Sequence, residues 1–172
     1  GSRARVDIEQ QWRWEKIANI AADRLEDIHT QLNPVKAKTD ITTKPNRIRW
    51  EGSQFVNHSL ALVNRELCIE LARRQDIELS LIPYEPHEFG LQEDPDRFGL
   101  IQERLQRPLS GTADVHVRHQ WPPNFTPPIE GHWVMIQPWE FGALPKDWVE
   151  PMENLVDELW VPSQHVRKVY VD

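Results

Sequence analysis

The sequence holds one cysteine, Cys68, in 172 residues, so no intrachain disulfide can form. Its apolar runs are only a few residues long, far short of the ~20 a helix needs to cross a bilayer. Basic residues are scarce relative to acidic ones, 20 against 27, for a net charge of −7 with histidine neutral. A general nucleic-acid binder needs the opposite balance, because it must displace counterions from phosphates. There is no Ser-His-Asp order, nucleophile elbow or phosphate-binding P-loop. No secretory leader is read, and with the lone cysteine this sets a cytoplasmic expectation. Gly1-Ser2 reads as an expression scar.

What is present describes a folded domain. Hydrophobic residues make up 39% and charged residues 27%, which excludes disorder by composition. A chain of this size buries roughly 70% of its unfolded surface, enough for a core. The 14 prolines and 8 tryptophans are unusual. Several tryptophans stand beside Pro or Gly and are read as contact residues borne on loops.

Residues 3–32 read as an amphipathic helix, with Trp14, Ile17, Ala21, Leu25, Ile28 and Leu32 recurring every three or four positions. That stripe serves either the core of its own domain or an oligomer formed through residues 6–32. Residues 33–46 have no period, carry prolines near both ends and read as a linker. From 47 to 172 short apolar segments alternate with helical ones. Strands are expected at 47–50, 77–82, 113–118, 132–136 and 158–161, with helices at 59–74, 97–106, 148–156 and 163–170. Strands separated by helices imply βα units. The expected fold is therefore an α/β, Rossmann-like, doubly wound and mostly parallel sheet with helices on both faces.

Such sheets bind ligands beyond the carboxyl ends of their strands, where strand order reverses. Three loops are then the candidates: Glu51 to His58, His119 to Pro123 and Gln137 to Gly142. Gly52 precedes a helix and lets backbone amides approach a phosphate, with Ser53, Gln54 and Asn57 behind it as contact residues. The second and third glycines of a dinucleotide fingerprint are missing, so an NAD site is excluded. Ser59 is the expected cap of the following helix, whose Asn64, Arg65 and Glu66 read as a solvated side. His119, at a strand end, can donate or accept a proton near neutral pH. His116 is read as sharing its side of the strand, but no third ligand follows and no metal is expected. Trp139 and Phe141 flank Glu140, and with Trp121 they suit carbohydrate: sugar C–H faces stack on rings while an acid accepts hydroxyl bonds. The acidic run Glu85, Glu88, Glu93, Asp94 and Asp96 reads as solvated surface.

Four segments, IRWEGSQFVNHSLALVNRELCIEL (48–71), ADVHVRHQWPP (113–123), VMIQPWEFGALPKDWV (134–149) and VDELWVPSQHVRKVYVD (156–172), together resemble the N-terminal half of a GT-B glycosyltransferase. The likeness is to the retaining, nucleotide-sugar-dependent enzymes of the group 1 or family 4 type. It implies an acceptor-side domain facing a C-terminal donor-binding domain, and a nucleotide-sugar donor with a glycan or other hydroxyl acceptor. It implies no cofactor and no metal. It places His119 near the reacting sugar, the Gly52 loop near the donor diphosphate, and Trp139 with Glu140 on the acceptor side. It also implies that this domain alone is inactive. The alternative reading is a non-catalytic module that binds carbohydrate or protein at the same rim.

Overall fold

The computed structural model describes residues 14–32 and 45–171. The expression scar, the first part of the expected N-terminal helix and residues 33–44 of the expected linker lie outside the described residues. In chain order the elements are α1 (Trp14–Leu32), β1 (Asn46–Gly52), α2 (Ser59–Ala72), β2 (Ile77–Ile82), a single 3-10 turn (Leu91–Glu93), α3 (Pro95–Gln102), β3 (Val115–His119), β4 (His132–Ile136), α4 (Lys146–Leu155), β5 (Glu158–Trp160) and α5 (Gln164–Val171). The strands form one sheet in the order β2-β1-β3-β4-β5, and every neighbouring pair is parallel. The fold is thus α/β and Rossmann-like. The chain goes from β1 outward to β2, then returns past β1 to β3 and continues to β5. The reversal lies between β1 and β3, so their following loops leave in different directions and open a crevice between them.

Strand boundaries differ from expectation at β3, which starts two residues later and takes in His119, at β5, which stops one residue earlier, and most at β1. β1 begins at Asn46, which the sequence assigns to the linker, and it includes Glu51 and Gly52, which read as loop. The reason is local pairing. The Asn46 N–H donates to the Asp76 carbonyl at 2.8 Å, and its side-chain amide donates to the Leu25 carbonyl at 2.8 Å. That second bond joins α1 to the sheet.

Pairing register decides which side chains share a face. Ile48, Trp50 and Gly52 of β1 stand opposite Val115, Val117 and His119 of β3. Ile48, Trp50, Val115, Val117, Leu79, Leu81 and Val134 form the core on this side, under α1 and α2. Each fully buried aliphatic side chain is worth about 2 kcal/mol of transfer free energy. On α1 the buried residues are Ala18, Ala21, Ala22, Leu25 and Ile28. The expected stripe therefore serves its own domain at Ala21, Leu25 and Ile28, while Leu32 is 51% exposed. No described helix is long and apolar enough to cross a membrane.

The other face of the sheet is polar along β1 and β3, with Trp133 and Met135 of β4 buried beside them. Arg47, Arg49, Glu51, Glu78, His116 and Arg118 alternate with the core residues, as a period of two requires. Connecting segments satisfy them. Ser110 donates its backbone N–H and its hydroxyl to the Glu78 carboxylate, both at 2.6 Å. Asp114 receives both Arg47 Nε and Nη2, at 3.0 and 2.8 Å, and Glu130 pairs with Arg49 at 2.9 Å.

Candidate functional site

Gly52 and His119 are register partners at the carboxyl ends of β1 and β3. Asn64 of α2, fully buried, sits against both. Its Nδ2 donates to the Ser53 and His119 carbonyls, each at 3.1 Å. Its Oδ1 accepts the Trp50 indole N–H at 2.9 Å and faces His119 Nδ1 at 2.8 Å. An indole nitrogen only donates, so the amide orientation is fixed. His119 Nδ1 must then carry the hydrogen, and Nε2 keeps its lone pair. Burial, followed by repulsion from His58, pushes His119 down to about 4. The ring is neutral at pH 7 and its free nitrogen accepts. The sequence reading allowed either role; burial removes the donor one.

Gly52 is required by this node. A Cβ there would stand 2.5 Å from Asn64 Nδ2 and 2.6 Å from the His119 carbonyl oxygen. The space beside it is filled by the protein's own amide. Asn64 itself corrects the expectation that residues 64–66 are solvated. Glu66 is buried as well, and Arg65 Nη1 donates to the Gln54 carbonyl at 2.6 Å.

The loop after β1 is clamped by the acidic segment that reads as solvated surface. Glu85 accepts from the Ser53 hydroxyl and pairs with His58 Nε2 at 2.8 Å; those two partners, His58 first, hold its carboxyl below the usual range. Glu88 accepts the Asn57 backbone and side-chain N–H groups at 3.0 and 3.2 Å. The cap of α2 is His58, not Ser59: its Nδ1 accepts the Ala61 N–H at 3.1 Å. Gln54 is buried, its Nε2 lies 3.6 Å from Cys68 Sγ, and its Oε1 has no partner among the described residues. Burial pushes the Cys68 thiol far up, so it is inert. Ser53 and Gln54 are therefore held inside the loop, while Asn57 is exposed.

Next to His119 opens a cleft of about 730 Å³, within the range of about 300–1,000 Å³ usual for small-molecule sites. Its walls are apolar: Trp14, Ile17 and Ile20 from α1, Leu60 and Val63 from α2, and Ile136 and Trp160 from the strand ends. Arg24 also lines it, but its Nε and Nη2 are taken by Glu158 at 2.8 and 2.7 Å. The Trp160 indole N–H goes to the same carboxylate at 2.6 Å.

Pro138 continues from the cleft wall into an aromatic rim. Trp121 and Trp139 stack with centroids 6.3 Å apart, and Trp148 of α4 meets their rings edge-on at 5.6 and 4.8 Å. Phe125 and Phe141 extend the cluster. The structure thus brings Trp121 and Trp139 together. Glu140 is different: it is exposed, so its two aromatic neighbours in sequence do not enclose it. Neighbouring residues in an extended turn project to different sides, and the rings meet each other instead.

On the opposite face Glu51 accepts from His116 Nε2 at 3.0 Å and Arg118 Nε at 2.8 Å. Arg118 Nη1 also donates to the Asn124 and Thr126 carbonyls, at 2.9 and 2.6 Å, and its guanidinium lies 4.9 Å from the Trp133 ring centroid. His116 and His119 do not share a side. Their separation of three residues puts them on opposite faces. Among the described residues no group of three or more His, Cys, Asp or Glu side chains could hold a metal ion.

Asn64, His58, Glu85 and Glu88 escaped the sequence reading. The available signal was the apolar residues of Leu60 to Leu71, which fall on every side of the helix and leave little room for a polar face. No family model matches the chain, and no curated protein or solved structure matches it either.

Proposed function

We propose that the chain is the acceptor-side half of a retaining glycosyltransferase, which passes a sugar from a nucleotide-sugar to a hydroxyl group. The observation that carries this reading is His119: neutral, in one tautomer, at the strand-order reversal, with its accepting nitrogen beside a cleft. In the transfer, the anomeric carbon's bond to the diphosphate breaks, a bond to the acceptor oxygen forms with retention, and the hydroxyl's proton passes to the departing diphosphate. Nε2 accepts the hydrogen bond of the incoming hydroxyl and so aims its oxygen. With a value near 4, the imidazole orients that group rather than removing its proton outright. Stacked Trp121 and Trp139 offer faces for sugar rings at the rim. The donor diphosphate falls to the partner domain that the resemblance implies, where basic groups and a helix N-terminus would meet its charge.

The alternative, a carbohydrate or protein module without chemistry, is favoured by one observation: no carboxylate lines the cleft among the described residues. Transfer of radiolabelled sugar from UDP- and GDP-sugars separates the two. The 172-residue chain alone is expected to transfer nothing. Joined to a donor-binding domain it transfers label, and His119→Ala, which removes the group that aims the acceptor oxygen, lowers that rate about 100-fold. Transfer by the chain alone overturns the half-enzyme assignment, and absence of transfer with any donor domain leaves the binding module.

A further inference from the structure

We infer that the cleft beside α1 binds an apolar alcohol, an aliphatic or aromatic body ending in one hydroxyl, seated with that hydroxyl on His119 Nε2. The hydroxyl's role as sugar acceptor rests on the glycosyltransferase reading; the site itself rests on its walls. Those walls offer a polar guest few bonds: the Ser59 hydroxyl at the exposed mouth, and an Arg24 guanidinium already held by Glu158. Glu158 already takes Arg24 and the Trp160 N–H. A monosaccharide would bring several hydroxyls into this space, and each one left without a partner opposes binding. An apolar body meets Trp14, Ile17, Leu60, Val63 and Ile136 without that loss.

The buried polar group among the walls then decides the headgroup. His119 is 3% exposed, its Nδ1–H is taken by Asn64, and Nε2 has no partner among the described residues. A lone pair needs a donor. Carboxylates and phosphate esters at neutral pH offer acceptors only, and Arg24, the cation on these walls, is already paired with Glu158, so fatty acids and phospholipid headgroups are disfavoured. An ammonium would donate, but its charge would be stripped of water with no counter-ion in reach. A neutral hydroxyl satisfies the nitrogen and carries no charge.

The test is titration of the 172-residue chain with 1-octanol, octyl methyl ether, octanoate and methyl glucoside, followed by calorimetry and by the indole NMR signals of Trp14 and Trp160. Octanol is expected to saturate and to shift both indoles. The ether, which has the same body and no donor, binds at least ten-fold more weakly, as does octanoate, and methyl glucoside leaves both indoles unshifted. Ser59→Trp narrows the cleft from an exposed position and abolishes octanol binding while the fold persists; His119→Phe removes the difference between alcohol and ether. Failure of octanol to saturate, equal binding of the ether, or unchanged binding in Ser59→Trp overturns the proposal. The titration needs no donor sugar, so octanol binding by the chain, with no transfer when it is joined to a donor-binding domain in the radiolabel assay, sinks the glycosyltransferase reading and leaves this site standing. Transfer to polar sugars with no octanol binding does the reverse.

Discussion

β3 carries two histidines three residues apart, and the sheet gives them unlike surroundings. His119 faces the apolar side, where a carboxamide with no charge fixes its tautomer. His116 faces the ionic side, on Glu51 and beside Arg118. The first arrangement leaves a nitrogen free at a cleft. The second spends its groups on fastening the proline-rich loop through the Asn124 and Thr126 carbonyls. One strand thus separates a binding group from a structural one by alternation alone.

The largest test of that contrast is Asn64→Leu. It keeps the volume but strips partners from the Trp50 and His119 N–H groups and from two carbonyls, so about 4 kcal/mol should be lost in urea unfolding. A loss below about 1 kcal/mol would mean the node is not what holds the strand ends. Next is acidity. A histidine held below its unfolded value binds fewer protons when folded, so its stabilisation is complete above pH 6.5 and drains away as pH falls toward 4. The whole effect is about 3 kcal/mol. His119→Gln should flatten most of that slope; burial lowers His87 too, so a smaller slope remains and shrinks further in the double variant with His87→Gln, down to what the low-lying carboxylates such as Glu51 contribute near pH 4. The smallest effect belongs to the ionic face. Burial works against the Glu51 carboxylate, but His116 and Arg118 hold it below the usual range. Glu51→Gln keeps one acceptor and should cost about 2 kcal/mol, with faster hydrogen exchange across 121–128. Equal exchange in that loop would show that Arg118 does not need Glu51 to hold it.

The sheet was legible because its strands write themselves as short segments with apolar residues at every second position, set between Pro, Gly and polar turns. Ile77–Ile82 and His132–Ile136 match the expected segments residue for residue. The rim was legible for the same reason, since ligand-end loops follow from strand ends. The node was not. Asn64 meets partners 11, 14 and 55 positions away, and no local pattern encodes such meetings. Glu85 and Glu88 read as solvated because acidic runs usually are; here the chain folds back and sets them against the loop at 53–58. Glu140 shows the converse: aromatic neighbours in sequence are not neighbours in space.

The Asn64 carboxamide has no bonding position to spare, and this reaches beyond stability. An imidazole free to turn over would present either edge to a guest and would lose that freedom on association. Here the ring was frozen as the chain folded, so a guest meets one orientation, and none of its affinity is spent on immobilising the host.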